Sequence, residues 1–233
     1  LFPFEKVYFD KANIQSTFVG HPLLEDHNKS KINISQFIQN KNKIISIFPG
    51  SRLSEIKILY PILFNFIKMM NKKYHDLSFV FHSTKDHAQH IQNLIINEDI
   101  NNCKTIHDEK IKNEILKSSI FAVAKSGTIS LEICNAKIPS VIIYKMNIIN
   151  YFIVSKFIKV RFANIINIVA DREIIPELLQ SKCTSEKIFN LVDKLLNDKM
   201  ALKKQIEESQ IVIQKFKTDK SADIASSVLI NHL

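Results

Sequence analysis

The chain has 233 residues, of which 45% are apolar and 24% charged, with a net charge of +9. These proportions match an ordinary globular protein large enough to bury its own core. They exclude collagen-like, disordered and disulfide-scaffold classes, and no apolar run reaches the roughly 18 residues of a membrane-spanning helix.

The chain opens on Leu1-Phe2-Pro3-Phe4-Glu5 without a methionine, which reads as the interior of a longer protein. Residues 1–19 look like the tail of an element, followed by a turn at Gly20-His21-Pro22 and a polar stretch, 25–42, of loop or short helix. Lys43–Phe48 (KIISIF) is a short continuous apolar run, the mark of a buried parallel strand. Apolar residues from Ile56 to Met70 then recur at three- and four-residue spacing and predict a helix, with Pro61 either kinking it or marking where its regular part begins. Leu77–His82 (LSFVFH) predicts a strand, 86–97 a helix, Cys103–Ile106 a short strand and 109–118 a helix. Ile120–Ala124 predicts a strand, Thr128–Ala136 a short helix and Ile138–Tyr144 another strand. Beyond Tyr144 strands largely stop. Residues 148–162 interleave aromatic and aliphatic side chains with Lys156, Lys159 and Arg161, which fits either a membrane-interface segment or a core helix with solvated lysines. Helices are then expected at Glu173–Gln180, Ser185–Asn197, Lys199–Lys217 and Asp219–Asn231. This strand–helix alternation predicts an α/β fold: a Rossmann-like parallel sheet with helices on both faces, followed by C-terminal helices.

Only three of the 32 basic residues are arginines and only three residues are glycine. The positive charge reads as a lysine-rich solvated surface, as attraction to an anionic membrane or phosphorylated substrate, or, least well, as nucleic-acid binding, since no aromatic-plus-basic motif accompanies it. Cys103, Cys134 and Cys183 have no CxxC spacing and read as reduced thiols of a cytoplasmic protein; no metal or cofactor motif is present. Such scarce glycines should stand where the backbone demands them, and Gly20, Gly50 and Gly127 each lie in a candidate loop.

In parallel sheets, ligands bind beyond the carboxyl ends of the strands. The loop Pro49-Gly50-Ser51-Arg52 would let a phosphate approach the backbone at Gly50 and a helix N-terminus, with Arg52 as a charged fork; it is equally an ordinary strand–helix turn. Ser126-Gly127-Thr128 could contact a diphosphate, and Glu132, one helical turn past Thr128, could accept hydrogen bonds from ribose hydroxyls. The plainer account there is a helix cap with a first-turn acid. Asn167 and its polar neighbours could line the same cleft or cap a loop. Neither GK[ST] nor GxGxxG occurs. His21 reads as a hinge residue, and no Ser-His-Asp or Cys-His arrangement stands out.

Taken together, FVGHPLLED (18–26), IISIFPGSRLSEI (44–56), AVAKSGTISLEICNAKIPSVIIYKMN (122–147) and FANIINIVADREIIPELLQ (162–180) resemble lipid-A-disaccharide synthase. That resemblance implies an inverting GT-B glycosyltransferase that needs no cofactor. It would join a UDP-2,3-diacylglucosamine donor to a 2,3-diacylglucosamine 1-phosphate acceptor, forming a β-1,6 disaccharide and UDP. It implies a substrate-binding set of Gly50, Ser51 and Arg52 at the diphosphate, Ser126, Gly127 and Thr128 as the second phosphate loop, Glu132 at the ribose and Asn167 at the donor cleft. It also implies three parts: 1–22 as hinge and tail of a missing N-terminal half supplied in cis or trans, 23–180 as the donor-binding domain, and 181–233 as closing helices. Position 166 is Ile where many relatives carry Pro. The catalytic base, on this view, lies upstream of Leu1. A cytoplasmic protein, peripheral at the membrane, is expected. The alternatives are a truncated or decayed UDP-binding fragment and a UDP-sugar epimerase; the missing GxGxxG and the glutamate after Ser-Gly-Thr speak against the second.

Overall fold

The computed structural model describes residues 3–25, 43–147, 161–218 and 220–231. Six strands, β1 (Lys43–Phe48), β2 (Leu77–His82), β3 (Cys103–Ile106), β4 (Ser119–Lys125), β5 (Ser140–Tyr144) and β6 (Glu177–Leu179), form one parallel sheet in the order β3-β2-β1-β4-β5-β6. Both faces are covered, which is why KIISIF and LSFVFH carry so little polar alternation. The residues still divide by the two-residue strand period. Ile45, Ile47, Phe121, Val123, Val141 and Ile143 meet α2 (Leu53–Lys73), α3 (Lys85–Asn97) and α7 (Ser185–Leu196) on one face. On the other face, Phe48, Ala122, Ala124 and Ile142 meet α4 (Glu109–Lys117), α5 (Ile129–Asn135), α6 (Ile165–Ala170) and α8 (Lys199–Gln214). Outside these layers lie α1 (Lys6–Lys11) and α9 (Ser221–Ile230).

Pro61 stands inside α2, within a continuous helix. Asp108, Thr184 and Asp198 accept backbone N–H bonds at the starts of α4, α7 and α8. Buried Gln205 of α8 bonds both the amide and the carbonyl of Ser140, at 2.7 and 2.9 Å, clamping that helix to the start of β5.

One expectation is corrected. Glu173–Gln180 is not a helix: Pro176 disfavours helical geometry at Ile175, and Glu177–Leu179 pairs with Ile142–Tyr144 as the sixth strand. A short helix, α6, precedes it instead. The polar stretch 25–42 falls, from 26 on, outside the described residues, and so does 148–160 of the apolar and basic stretch. No described helix is long and apolar enough to cross a membrane.

The Gly20-His21-Pro22 turn is tied to the far end of the chain. Thr218 Oγ1 donates to the Val19 carbonyl at 3.1 Å, and Glu25 accepts from the Ser221 amide at 2.8 Å and from its hydroxyl. Gly20 has φ +96°, and a Cβ there would overlap Thr218 Oγ1. Gly20→Ala is therefore expected to destabilise the fold by about 1–3 kcal/mol through strain and overlap, read as a lowered denaturant midpoint. Adding Thr218→Ala should restore only part of it, since the hydroxyl clash goes and the φ strain stays.

Candidate functional site

Strand order reverses between β1 and β4, whose ends lie side by side with Phe48 opposite Ala124. Adjacent crossovers leave toward opposite faces there, and the crevice between their loops is where such sheets bind ligands. A cavity of about 240 Å³ occupies it. Its walls are Phe48 at the end of β1 with Gly50 and Ser51 beyond it, Lys125 at the end of β4 with residues 126–129 beyond it, His82 at the end of β2 with Ser83 and Thr84 beyond it, and Glu109 and Lys112 from the first turn of α4. A larger open depression of about 820 Å³ lies beyond the opposite ends of β2 and β3, by Tyr74 and Asn102, away from both loops.

The two loops are joined by a charged contact. Gly50 adopts φ +107°, which calls for glycine, and a Cβ there would also displace the end of the Glu55 side chain, whose Oε2 would lie 2.5 Å away. Glu55, in the first turn of α2 where the helix dipole favours an anion, pairs through Oε1 with Lys125 at 3.0 Å and with Arg52 at 3.5 Å. Its Oε2 is buried without a hydrogen-bond partner among the described residues. The Lys125 ammonium also lies 5.3 Å from the centre of the Tyr144 ring; burial, then the Glu55 charge, raises the Tyr144 pKa.

Of the residues singled out from sequence, Gly50, Ser51, Ser126, Gly127 and Thr128 line this cavity. Ser126 does not cap α5: its hydroxyl donates to the Ala163 carbonyl at 2.6 Å, and Thr128 makes no side-chain cap bond either. Gly127 differs from the other two glycines. Its φ is not positive, and an added Cβ would meet nothing within 4 Å; glycine there leaves open space rather than satisfying the backbone. Arg52 lies one residue beyond the cavity lining with its side chain 79% exposed. Glu132 borders a neighbouring cavity of about 550 Å³, and its carboxylate reaches the first through an ion pair with Lys112 at 3.2 Å.

Asn167 is not at the cleft. It is fully buried. Its Oδ1 accepts from the amides of Ile174 and Ile175 at 2.8 and 3.0 Å, and its Nδ2 donates to the Ile175 carbonyl and to Glu177 Oε1, each at 2.7 Å. An amide has two acceptor and two donor positions, and all four are spent on the loop that carries the chain into β6.

Three groups at the cavity carried no assigned role in the sequence reading: Lys125, Lys112 and His82. Lys112 pairs with Glu109 as well as Glu132; burial opposes its charge, but these two carboxylates outweigh it and raise its pKa. His82 stacks on Phe48 with ring centroids 4.2 Å apart. Burial, then the Lys112 charge, lowers its pKa to about 3, so the ring is neutral. Two lysines, two loops with a helix start, and nearby carboxylates suit an anionic group joined to a hydroxyl-bearing one. No group of three metal-ligating side chains occurs among the described residues.

A family model described as lipid-A-disaccharide synthetase matches residues 1–229. The lipid-A-disaccharide synthase of Rickettsia typhi is 34% identical over 236 residues, covering 99% of this chain and 61% of that protein. The enzyme of that name from Rhodospirillum centenum is 31% identical over 211 residues, covering 89% of this chain and 52% of its own length. The chain thus spans about half to three fifths of these relatives. Among solved structures, a UDP-N-acetylglucosamine 2-epimerase aligns with TM-score 0.61 at 14% identity, over 99% of this chain and 56% of the other. The Neisseria meningitidis UDP-GlcNAc 2-epimerase bound to UDP-GlcNAc aligns with TM-score 0.54 at 17% identity, over 84% and 47%. At such identities they share the fold.

Proposed function

The chain belongs to the lipid-A-disaccharide synthetase family, and from that premise we propose that the β1/β4 crevice holds the UDP part of a nucleotide-sugar donor. The observation that carries this reading is the meeting of the Gly50-Ser51 and Ser126-Gly127-Thr128 loops around one cavity with Lys112 and Lys125 in its wall. The diphosphate lies across the two loops, next to the N-terminus of α2 and the two ammonium groups. Arg52, exposed beside it, swings in when the anion arrives. Glu132, anchored by Lys112, accepts from the ribose hydroxyls.

The reaction is transfer of the diacylglucosamine unit from UDP to a diacylglucosamine 1-phosphate acceptor, which leaves UDP. Inverting transfer needs a base to take the acceptor's hydroxyl proton. The division into a hinge at 1–22, a donor-binding domain at 23–180 and closing helices at 181–233 belongs to this proposal, as does work at an anionic membrane surface, which the net charge of +9 favours. A family match over 1–229 with both loops present supports the transferase reading over a decayed UDP-binding fragment.

Calorimetry tests it. The chain is expected to bind one UDP saturably and to bind UMP at least tenfold more weakly, because the β-phosphate makes charge-assisted bonds that UMP lacks. No UDP binding, or equal affinity for the two nucleotides, would overturn the assignment.

A further inference from the structure

One polar side chain that lines the cavity, His82, has no role in that account. Between the sheet and α4 runs a buried chain of hydrogen bonds. Ser119 Oγ donates to the Ile115 carbonyl at 2.8 Å, which uses its only hydrogen. In its 2.7 Å contact with Ser46 it must therefore accept, and Ser46 Oγ donates. Ser46, its own hydrogen now used, accepts at 2.8 Å from His82, so Nε2 carries the ring proton. Nδ1 is then a bare lone pair. His82 is 5% exposed, it lines the cavity, and Nδ1 has no hydrogen-bond partner among the described residues. A buried acceptor left unpaired is costly, and this one belongs to a side chain that lines the candidate site.

Most of a nucleoside diphosphate cannot satisfy it. Phosphate and carbonyl oxygens are acceptors and would be repelled by the lone pair. The group that fits is a donor, and with both ribose hydroxyl hydrogens given to Glu132 the one left is the N3–H of uracil. Accepting the UDP reading above, we propose that His82 Nδ1 accepts a hydrogen bond from the nucleoside part of the ligand and is a specificity-determining residue of the site. The serine chain is what makes it an acceptor, since the opposite tautomer would leave only the two serine hydrogens for three contacts, and one of them would break. It also directs the ligand, with the donor-rich nucleoside at the β2 end and the acceptor-rich diphosphate at the β1 and β4 loops.

Two isosteres separate the nitrogens. His82→Gln keeps an amide donor near the Nε2 position and loses the acceptor at Nδ1; His82→Asn keeps an acceptor near Nδ1 and loses the donor to Ser46. By calorimetry, His82→Gln is expected to bind UDP roughly tenfold more weakly than wild type, and His82→Asn within about threefold of wild type, with thermal melts confirming that both are folded. The ligand arms are 2′-deoxy-UDP, 3′-deoxy-UDP and N3-methyl-UDP. N3-methyl-UDP, which lacks that donor, should lose about tenfold against wild type and nothing further against His82→Gln, whereas each deoxy analogue, which loses a bond to Glu132, should weaken equally against both proteins. Unchanged UDP affinity in His82→Gln overturns the inference, as does the same loss for every analogue in both proteins. Wild-type protein that binds no UDP overturns the nucleotide reading and, with it, this one.

Discussion

Asn167→Ala is expected to lower the thermal midpoint by about 10 °C while leaving UDP affinity within twofold of wild type. Truncation removes four hydrogen bonds from a residue with no exposed surface. It strands the Ile174 and Ile175 amides and the Ile175 carbonyl. Each buried group left unpaired costs about 1–3 kcal/mol, and partial hydration of the loop brings the total to about 4 kcal/mol. For a chain of 150–250 residues that is about 2–4 °C per kcal/mol. Glu177 adds to the effect: it also accepts from the Ala163 and Asn164 amides at 2.8 and 3.0 Å, so loss of Asn167 loosens the entry into β6. A melt within 2 °C of wild type together with a tenfold loss of UDP binding would instead make Asn167 a ligand contact.

Glu132→Ala is expected to weaken UDP binding more than a hundredfold. A carboxylate's hydrogen bonds contribute about 1.5–3 kcal/mol each. Losing two to the ribose costs about 3 kcal/mol or more, which is over two decades in Kd. Lys112 sharpens the expectation. It holds Glu132 through Oε2 while its other partner, Glu109, remains in the variant, so removing Glu132 leaves no unpaired buried cation and the fold should tolerate the change. Glu132→Gln keeps the shape and some hydrogen bonding, and should fall between the two. Titration of UDP against the three proteins decides. Equal affinities would leave Glu132 as a structural partner of Lys112 and place the ribose elsewhere.

The parallel sheet was readable because fully covered strands appear as unbroken apolar runs: KIISIF and LSFVFH stand out in any background. The loops after β1 and β4 were readable because Gly50 and Gly127 are rare in this chain. What escaped depended on distance in the sequence. β6 has only three residues, and IIPELLQ also carries helical spacing; its pairing with β5, not its own pattern, makes it a strand. Asn167 among apolar residues looks the same whether its amide serves a ligand or a loop, and only the partners eight and ten residues on decide. The unpaired Nδ1 of His82 rests on Ser46 and Ser119, 36 and 73 residues apart along the pairings. Lys112 escaped for a similar reason. Its helix reads as a solvated amphipathic one, and its charge is drawn inward by Glu132 from another element.

The tie between the Gly20 turn and Thr218 has a kinetic meaning. Val19 and Thr218 are 199 residues apart, and Glu25 and Ser221 are 196 apart. Contacts of such separation carry a large loop-closure entropy until the intervening sheet has formed. They therefore close last on folding and open first on unfolding. Weakening them should leave the refolding rate nearly unchanged and appear almost wholly as faster unfolding. In the native protein the Val19 to Glu25 segment should accordingly exchange its amide hydrogens well before β1 and β4 do. The turn that leads into the sheet is thereby free to release and re-close many times during the lifetime of one folded core.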